Sequence, residues 1–245
     1  MIFPTRELTK LTGHAGPVHC VTFSAGLGQY ILTGSSDRAV RLYNPLKASA
    51  AVAESGLVQT YAAHGFDATV RLWDCKSQSA KPIQVFEESK DSVSSLHVVG
   101  HEIVTGCVDG RMRLYDLRMG MVYADLVGQP ITSVQQTHDG NAVLVSTLDS
   151  TIRLMDKGNG QMLQSYKGHT NQDYRIRSCL GLADAVVVSG SEDGQIYAWD
   201  LLEGRVIEKL GAHDGKVASA VAFNAARKEW ASAGVDGVVS VWGMP

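Results

Sequence analysis

Apolar residues in this chain fall in short alternating runs, not in the long one-sided stripes of amphipathic helices. AVRLYN (39–44), RMRLYD (111–116) and TIRLMD (151–156) alternate in the two-residue period of a pleated strand and are rich in β-branched and aromatic types. Each run follows a turn signal that contains Asp, whose side chain can bond nearby backbone amides. Before the turn lies another short apolar run, as in YILTG, EIVTG, AVLVS, AVVVSG or EWASAG. Earlier still comes a third, in PVHCVTF, DSVSSLHV, ITSVQQT, RIRSCLGL or KVASAVAF, and a fourth follows, in MVYADLVG, QMLQSYKGH or RVIEKLGAH. With 25 glycines and turn residues about every 8 to 12 positions, long helices have no room, and the pattern predicts an all-β chain.

The turn and the strand after it recur six times: GSSDRAVRLYN (34–44), HGFDATVRLWD (64–74), GCVDGRMRLYD (106–116), STLDSTIRLMD (146–156), GSEDGQIYAWD (190–200) and AGVDGVVSVWG (233–243). In every copy an Asp (37, 67, 109, 149, 193, 236) stands six residues before an aromatic position (43, 73, 115, 155, 199, 242), which Met155 fills once. Four short strands per roughly 40–45 residues, with Gly-His before and Trp-Asp after, is the signature of a WD-repeat propeller blade. The spacing predicts one domain over 1–245. Its blades fall at about 14–62, 64–87 (incomplete), 91–127, 130–166, 169–211 and 213–245 plus 5–12. The last copy ends too close to Pro245 for a fourth strand, while PTRELTKLTGH reads like RVIEKLGAH. Residues 5–12 are therefore expected to be the outer strand of the last blade, closing the ring without a long unpaired edge.

One unit is short. Tyr43 and Trp73 are 30 residues apart, whereas the later aromatic positions stand 40 to 44 apart. Residues 64–87 hold a third strand (69–74) and a fourth (about 82–87), with no room for the first two. LVQTYAAHG reads best as the outer strand of the first blade; in the alternative, YAAHGFD stands in for a second strand of the short unit. KASAAVAES reads as a loop. A seven-blade ring at about 42 residues per repeat needs about 294 residues, so this chain is expected to lack the rest of one repeat and the front of the next, with closure as five blades or as six left open by the sequence.

Composition adds exclusions. The chain is 44% hydrophobic and 19% charged, ordinary for a globular protein, and its formal charge of −3 does not suit a surface that neutralises many phosphates. It contains no run of five like charges, no apolar stretch near the roughly 20 residues of a membrane span, and no long apolar leader at MIFPTRELTKL, so an intracellular protein is expected. Cys20, Cys75, Cys107 and Cys179 are widely spaced, which argues against zinc or a disulfide framework and for buried strand thiols.

From residue 91 onward the likeness is closer than a generic repeat. DSVSSLHVVGHEIVTGCVDGRMRLYDLRMG, VGQPITSV, LDSTIRLMDKGNGQMLQSYKGHTNQDYRI and VSGSEDGQIYAWDLLEG resemble the WD repeat-containing protein 83 family, the mitogen-activated protein kinase organizers, as does GSSDRAVRLYNPL near the front. The likeness covers nearly the whole chain except about 46–66. It implies a seven-bladed scaffold without catalytic activity, cofactor or metal. The implied partners are proteins: components of MAP-kinase cascades, or alternatively splicing factors in the spliceosome or another RNA-processing assembly. It implies cytoplasmic and nuclear residence, no direct contact with nucleic acid or membrane, and a monomer within larger complexes.

Three residue sets imitate a catalytic triad: His169, Ser189 and Asp193 with Trp199; His213, Ser232 and Asp236 with Trp242; and His14, Thr33 and Asp37 with Tyr43. One active site does not need repeating. Each set is read as a structural tetrad, a buried chain of hydrogen bonds that locks its blade when every member is satisfied. Arg41, Arg71, Arg113 and Arg153, two residues before the aromatic position, are read as packing against neighbouring blades instead of forming a basic recognition stripe. GAHDGK (211–216) has the wrong glycine spacing and no Ser or Thr after Lys216, so it is no phosphate loop. The candidate partner-binding residues are those just before the turn Asp, Ser36, Val108, Leu148, Glu192 and Val235, three of them apolar. Tyr174 and Arg175 join them from the polar stretch TNQDYRIR (170–177), because Tyr and Arg are favoured at interaction hot spots.

Two expectations are testable from sequence alone. Asp193→Ala should deprive His169 of its acceptor and cost about 1–3 kcal/mol in thermal unfolding. Comparison of transcript with genomic DNA should reveal further coding sequence between Gly65 and Phe66; an intact frame there would refute an omitted exon.

Overall fold

The computed structural model describes residues 3–24, 29–37, 39–44, 57–62, 68–72 and 84–244. Twenty-two strands and no helix appear among them. The first blade contains β2 (Val18–Phe23), β3 (Ile31–Ser35), β4 (Ala39–Tyr43) and β5 (Leu57–Ala62), hydrogen-bonded in chain order. The third comprises β8 (Val93–Val99), β9 (Glu102–Cys107), β10 (Arg111–Asp116) and β11 (Met121–Leu126). The fourth holds β12 (Ile131–Gln136), β13 (Ala142–Thr147), β14 (Thr151–Asp156) and β15 (Met162–Tyr166). In the fifth are β16 (Ser178–Gly181), β17 (Val186–Ser189), β18 (Gln195–Asp200) and β19 (Val206–Gly211).

The sixth blade is built from both ends of the chain. β20 (Ala218–Asn224), β21 (Glu229–Gly234) and β22 (Val239–Gly243) are followed in the sheet by β1 (Arg6–Leu11), antiparallel to β22 with Arg6 opposite Gly243 and Leu11 opposite Val239. The expected closure is present. Pro4 and Phe3 extend it: the Pro4 carbonyl accepts from Trp230 Nε1 at 2.7 Å, and the Phe3 and Trp230 rings lie 5.5 Å apart.

The short unit is a two-stranded sheet, β6 (Val70–Leu72) with β7 (Gln84–Phe86). It supplies the outer two positions of a blade and packs on the third, with the Phe86 and Tyr115 rings 4.7 Å apart. LVQTYA lies beside β4 as the first blade's outer strand. The short unit's Asp67, Trp73 and His64, and the stretch KASAAVAES, lie outside the described residues, as does Cys75.

The core lies between the blades. Strands β17 and β18 bury both faces, so they read as continuous apolar runs: Val188, Ile196 and Ala198 face Trp230 and Trp242 of the sixth blade, while Val187, Tyr197 and Trp199 face Leu144, Ile152 and Tyr166 of the fourth. The hairpins obey local turn chemistry. Asp109, Asp193 and Asp236 each accept, at 3.0 Å, the amide two residues on, and the glycines between (110, 194, 237) have φ near +80°. In the fourth blade Ser150 takes the same left-handed conformation. Innermost strands β2, β8, β12 and β20 each carry a bulge, at His19, Ser94, Thr132 and Ser219.

Leu11, 1% exposed at the end of β1, packs with Val18, Ile31 and Val239, whereas Leu8 on the same strand is 45% exposed. Leu11→Ala should cost about 2–5 kcal/mol in denaturant unfolding and Leu8→Ala less than about 1. Equal, small losses would mean that β1 does not hold the ring.

Candidate protein-binding face

The turn Asp of each full blade meets one of three partners. In the sixth blade the expected tetrad is assembled. Trp242 Nε1 can only donate, and does so to Ser232 Oγ at 3.0 Å; the Ser232 hydroxyl proton then goes to His213 Nε2 at 3.0 Å, leaving Nδ1–H to donate to Asp236 at 3.0 Å. In the first blade His14 reaches Asp37 at 2.8 Å and Thr33 at 2.6 Å, but the Tyr43 hydroxyl donates to the Thr12 carbonyl and not to Thr33.

The third and fourth blades have no His before the innermost strand, and the Arg four residues after the turn Asp takes its place. Arg113 donates to both oxygens of Asp109, the nearer at 2.6 Å, and Arg153 to both of Asp149, the nearer at 2.5 Å. Burial pushes the Asp109 carboxyl up, but Arg113, the amides of Lys90 and Arg111 and the Cys107 thiol outweigh it and hold the group well below the usual carboxylate range. Arg41 lies 3.8 Å from Asp37. These arginines therefore pair with the turn of their own blade, which corrects the expectation of packing against neighbours; for Arg71, the turn Asp is outside the described residues.

The fifth blade departs from the expected tetrad. Tyr197 occupies the position that Arg holds elsewhere, and its hydroxyl donates to Asp193 at 2.8 Å. Trp199 Nε1 donates to the Lys167 carbonyl and Ser189 Oγ to the Gly190 carbonyl. His169 is buried with neither ring nitrogen hydrogen-bonded, edge-on to Trp199 at 5.3 Å. Burial lowers its pKa to about 4, against the smaller opposing pull of Asp193. Asp193→Ala would thus orphan the Tyr197 hydroxyl, not His169.

The same turns define one end of the ring. The amides of Ser36, Val108, Leu148 and Val235 donate to the carbonyls just ahead of the innermost strands, Pro17, Ser92, Pro130 and Val217, and that of Glu192 donates to the Thr170 carbonyl at the start of the 170–177 loop. Of these five side chains Ser36 is exposed, and Val108, Leu148 and Val235 are half-buried. Glu192 is half-buried and committed to the loop: its Oε1 accepts the amides of Gln172, Asp173 and Tyr174 at 2.7, 2.8 and 3.1 Å. It acts as a clamp on the 170–177 loop, not as an independent contact. Asn171 anchors the other side, fully buried, with its amide group directed to Thr132 Oγ1 and the Thr147 carbonyl. RIR does not continue β16, which starts at Ser178; Arg177 instead ties to the sixth blade, its amide donating to the Ser219 carbonyl.

This loop overhangs the mouth of the central channel. A cavity of about 360 Å³ there is lined by Asp173, Tyr174, Arg175 and Arg177 from the loop and by the bulged residues His19, Ser94, Thr132 and Ser219. Tyr174 is 46% exposed, and Arg175 and Arg177 are also exposed around buried Ile176. Burial, then the Arg177 charge, lowers the pKa of His19. Sequence reasoning found Tyr174 and Arg175 but passed over Arg177 and His19. The alternation Arg-Ile-Arg carried the first signal; no local pattern marked the bulge that turns His19 inward.

Four-stranded sheets stacked radially, with this turn chemistry and a borrowed closing strand, define a WD-repeat β-propeller. The WD domain, G-beta repeat model matches residues 5–44, 160–200 and 204–243, and the Nucleolar protein 10-like, N-terminal domain model matches 35–179. The chain belongs to the WD repeat domain-containing protein 83 family. It is 35% identical to the protein of that name from Homo sapiens, over 88% of this chain and 85% of the relative, and 34% identical to that from Rattus norvegicus, over 82% and 81%. A Dictyostelium discoideum homolog is 27% identical over 95% and 96%. These alignments run to 277, 262 and 316 positions against 245 residues here, so the relatives carry residues without a counterpart in this chain. Propellers of this kind are generally protein-interaction modules without catalytic activity.

Ser232→Ala should strand Trp242 Nε1–H and His213 Nε2 and cost about 1–3 kcal/mol, while Ser189→Ala removes one neutral bond and costs about 1 kcal/mol or less; thermal melts compare the two. His169 stays neutral when folded, its pKa depressed to about 4, so it contributes stability that is complete above the unfolded value near 6.5 and is lost as pH falls toward 4. His169→Leu should flatten the stability profile over that window, read by denaturant titrations at several pH values.

Proposed function

We propose that this protein is a non-enzymatic scaffold that gathers other proteins at the channel-mouth face, with MAP-kinase cascade components as its partners. The observation that carries the reading is the 170–177 loop, clamped by Glu192 and Asn171 so that Tyr174, Arg175 and Arg177 stand around a cavity in a fixed arrangement. Ordering these side chains in advance reduces what binding must spend in entropy, and Tyr and Arg dominate interaction hot spots. Resemblance to the kinase organizers supports the partner class, and residence in cytoplasm and nucleus goes with it. A second reading, a subunit of an RNA-processing assembly such as the spliceosome, is favoured by the match of residues 35–179 to a model named for a nucleolar protein.

Affinity purification of the full chain from nuclear and cytoplasmic extracts tests both. Kinase-cascade components should co-purify, and the exposed double substitution Tyr174→Ala/Arg177→Glu should reduce them at least about tenfold, the loss of one hot-spot contact, with an unchanged melting temperature. Recovery of splicing factors alone would replace the first reading with the second. Undiminished capture by the double variant would move the binding site elsewhere.

A further inference from the structure

The five outermost strands of the full blades are not alike. β1, β5, β15 and β19 each break register with the third strand of their blade, at Glu7/Thr9, Leu42/Tyr43, Leu154/Met155 and Ala198/Trp199. Such bulges twist an edge and make it a poor template for another strand. β11 has none: all six of its residues pair in sequence with β10, from Met121 opposite Asp116 to Leu126 opposite Arg111. β1 and β19 further carry Arg6, Glu7, Lys10, Glu208 and Lys209 along the edge, whereas β11 is MVYADL, without a basic residue or proline. Its Met121, Val122, Tyr123 and Leu126 are exposed, Tyr123 by 50% and Leu126 by 65%.

The cavity beside the start of this edge is acidic. A cavity of about 140 Å³ beside Met121 and Val122, it is lined by Glu88 and Asp116 and, among the described residues, by no Lys or Arg. Asp125, farther along the strand, has no ion pair among the described residues. Arg118 and Arg111 lie near the two ends of the strand, outside that cavity.

We propose that β11 is a second docking site, at the outer rim and away from the channel mouth, where an extended segment of a partner protein adds as a fifth strand. Main-chain hydrogen bonds to the free edge supply affinity, and side chains supply selection. Apolar residues of the segment cover Val122, Tyr123 and Leu126, and a Lys or Arg enters the cavity beside Glu88 and Asp116. The straight register presents an unbroken row of backbone groups, and charge complementarity selects a basic segment over an acidic one.

Fluorescein-labelled ten-residue peptides titrated into the full chain, followed by anisotropy, test this. One peptide alternates Val and Thr around a central Lys, a second has Glu for that Lys, and a third has two central prolines. The Lys peptide should bind at least about tenfold more tightly than either of the others, as a lost strand ladder or a reversed charge pair implies. Val122→Lys/Leu126→Lys, both at exposed positions, should weaken it by at least about tenfold with the melting temperature unchanged. Glu88→Lys, which reverses the exposed charge lining the cavity, should abolish the preference for Lys over Glu. Equal binding of the proline peptide, or full binding by Val122→Lys/Leu126→Lys, would overturn the proposal. Sedimentation of the unmodified chain as a dimer that the same Lys pair dissolves would overturn it in favour of a second copy on this edge.

Discussion

A ring of sheets stands or falls on how its last sheet is finished. Here the finishing strand is β1, which comes from the opposite end of the sequence and lies against β22 over five residue pairs. Without it, Trp230, Val239 and Val241 would lose their outer cover, and the sheet stacked on the first blade would end in an open edge. Around the channel a second set of contacts acts in the same sense. Ser94 donates to the Ile131 carbonyl of the next blade, Ser219 to that of Val18, and Arg177 to that of Ser219. The innermost strands are thereby linked blade to blade at their bulges, and the residues that make those links also shape the channel mouth.

The turn Asp shows how a repeat tolerates divergence. What each full blade requires is that a carboxylate, drawn partly out of water to bond its own turn amides, also meets a proton donor. His213 and His14 meet it from before the innermost strand, and Arg113, Arg153 and Tyr197 from the following strand. The donor is interchangeable because Asp+4 and the His both reach the same oxygens. That freedom leaves His169 redundant in the fifth blade, where it remains as a neutral, packed ring against Trp199.

Much of this architecture was readable from the chain. The six-residue interval from Asp to the aromatic position, the strand pattern and the likeness of RELTKL to VIEKLG located the blades and the closing strand, because each depends on local periodicity. LVQTYA was placed correctly for the same reason. The donor to each Asp was not readable: it depends on whether residue Asp+4 points across the strand to the carboxylate, a matter of side-chain direction that Arg113 and Tyr197 share but Ser240 does not. Glu192 looked like a free surface acid, yet its partners are amides twenty residues earlier. His19 depended on a bulge, and bulges follow from pairing between strands and leave no mark in composition.

The short unit has an energetic consequence. In arrays of stacked repeats, each unit draws stability from its neighbours, so resistance to local opening follows the weakest junction. Among the described residues β6 and β7 share three residue pairs and rest on the third blade through Val70 and Phe86, whereas β12 and β13 alone share five, bulge included. Amide protons of the fourth, fifth and sixth blades would then exchange only with the unravelling of the whole array, and those of β6 and β7 through a shallower excursion of their own. The molecule carries a seam at that point, and the order in which its parts come undone is set there.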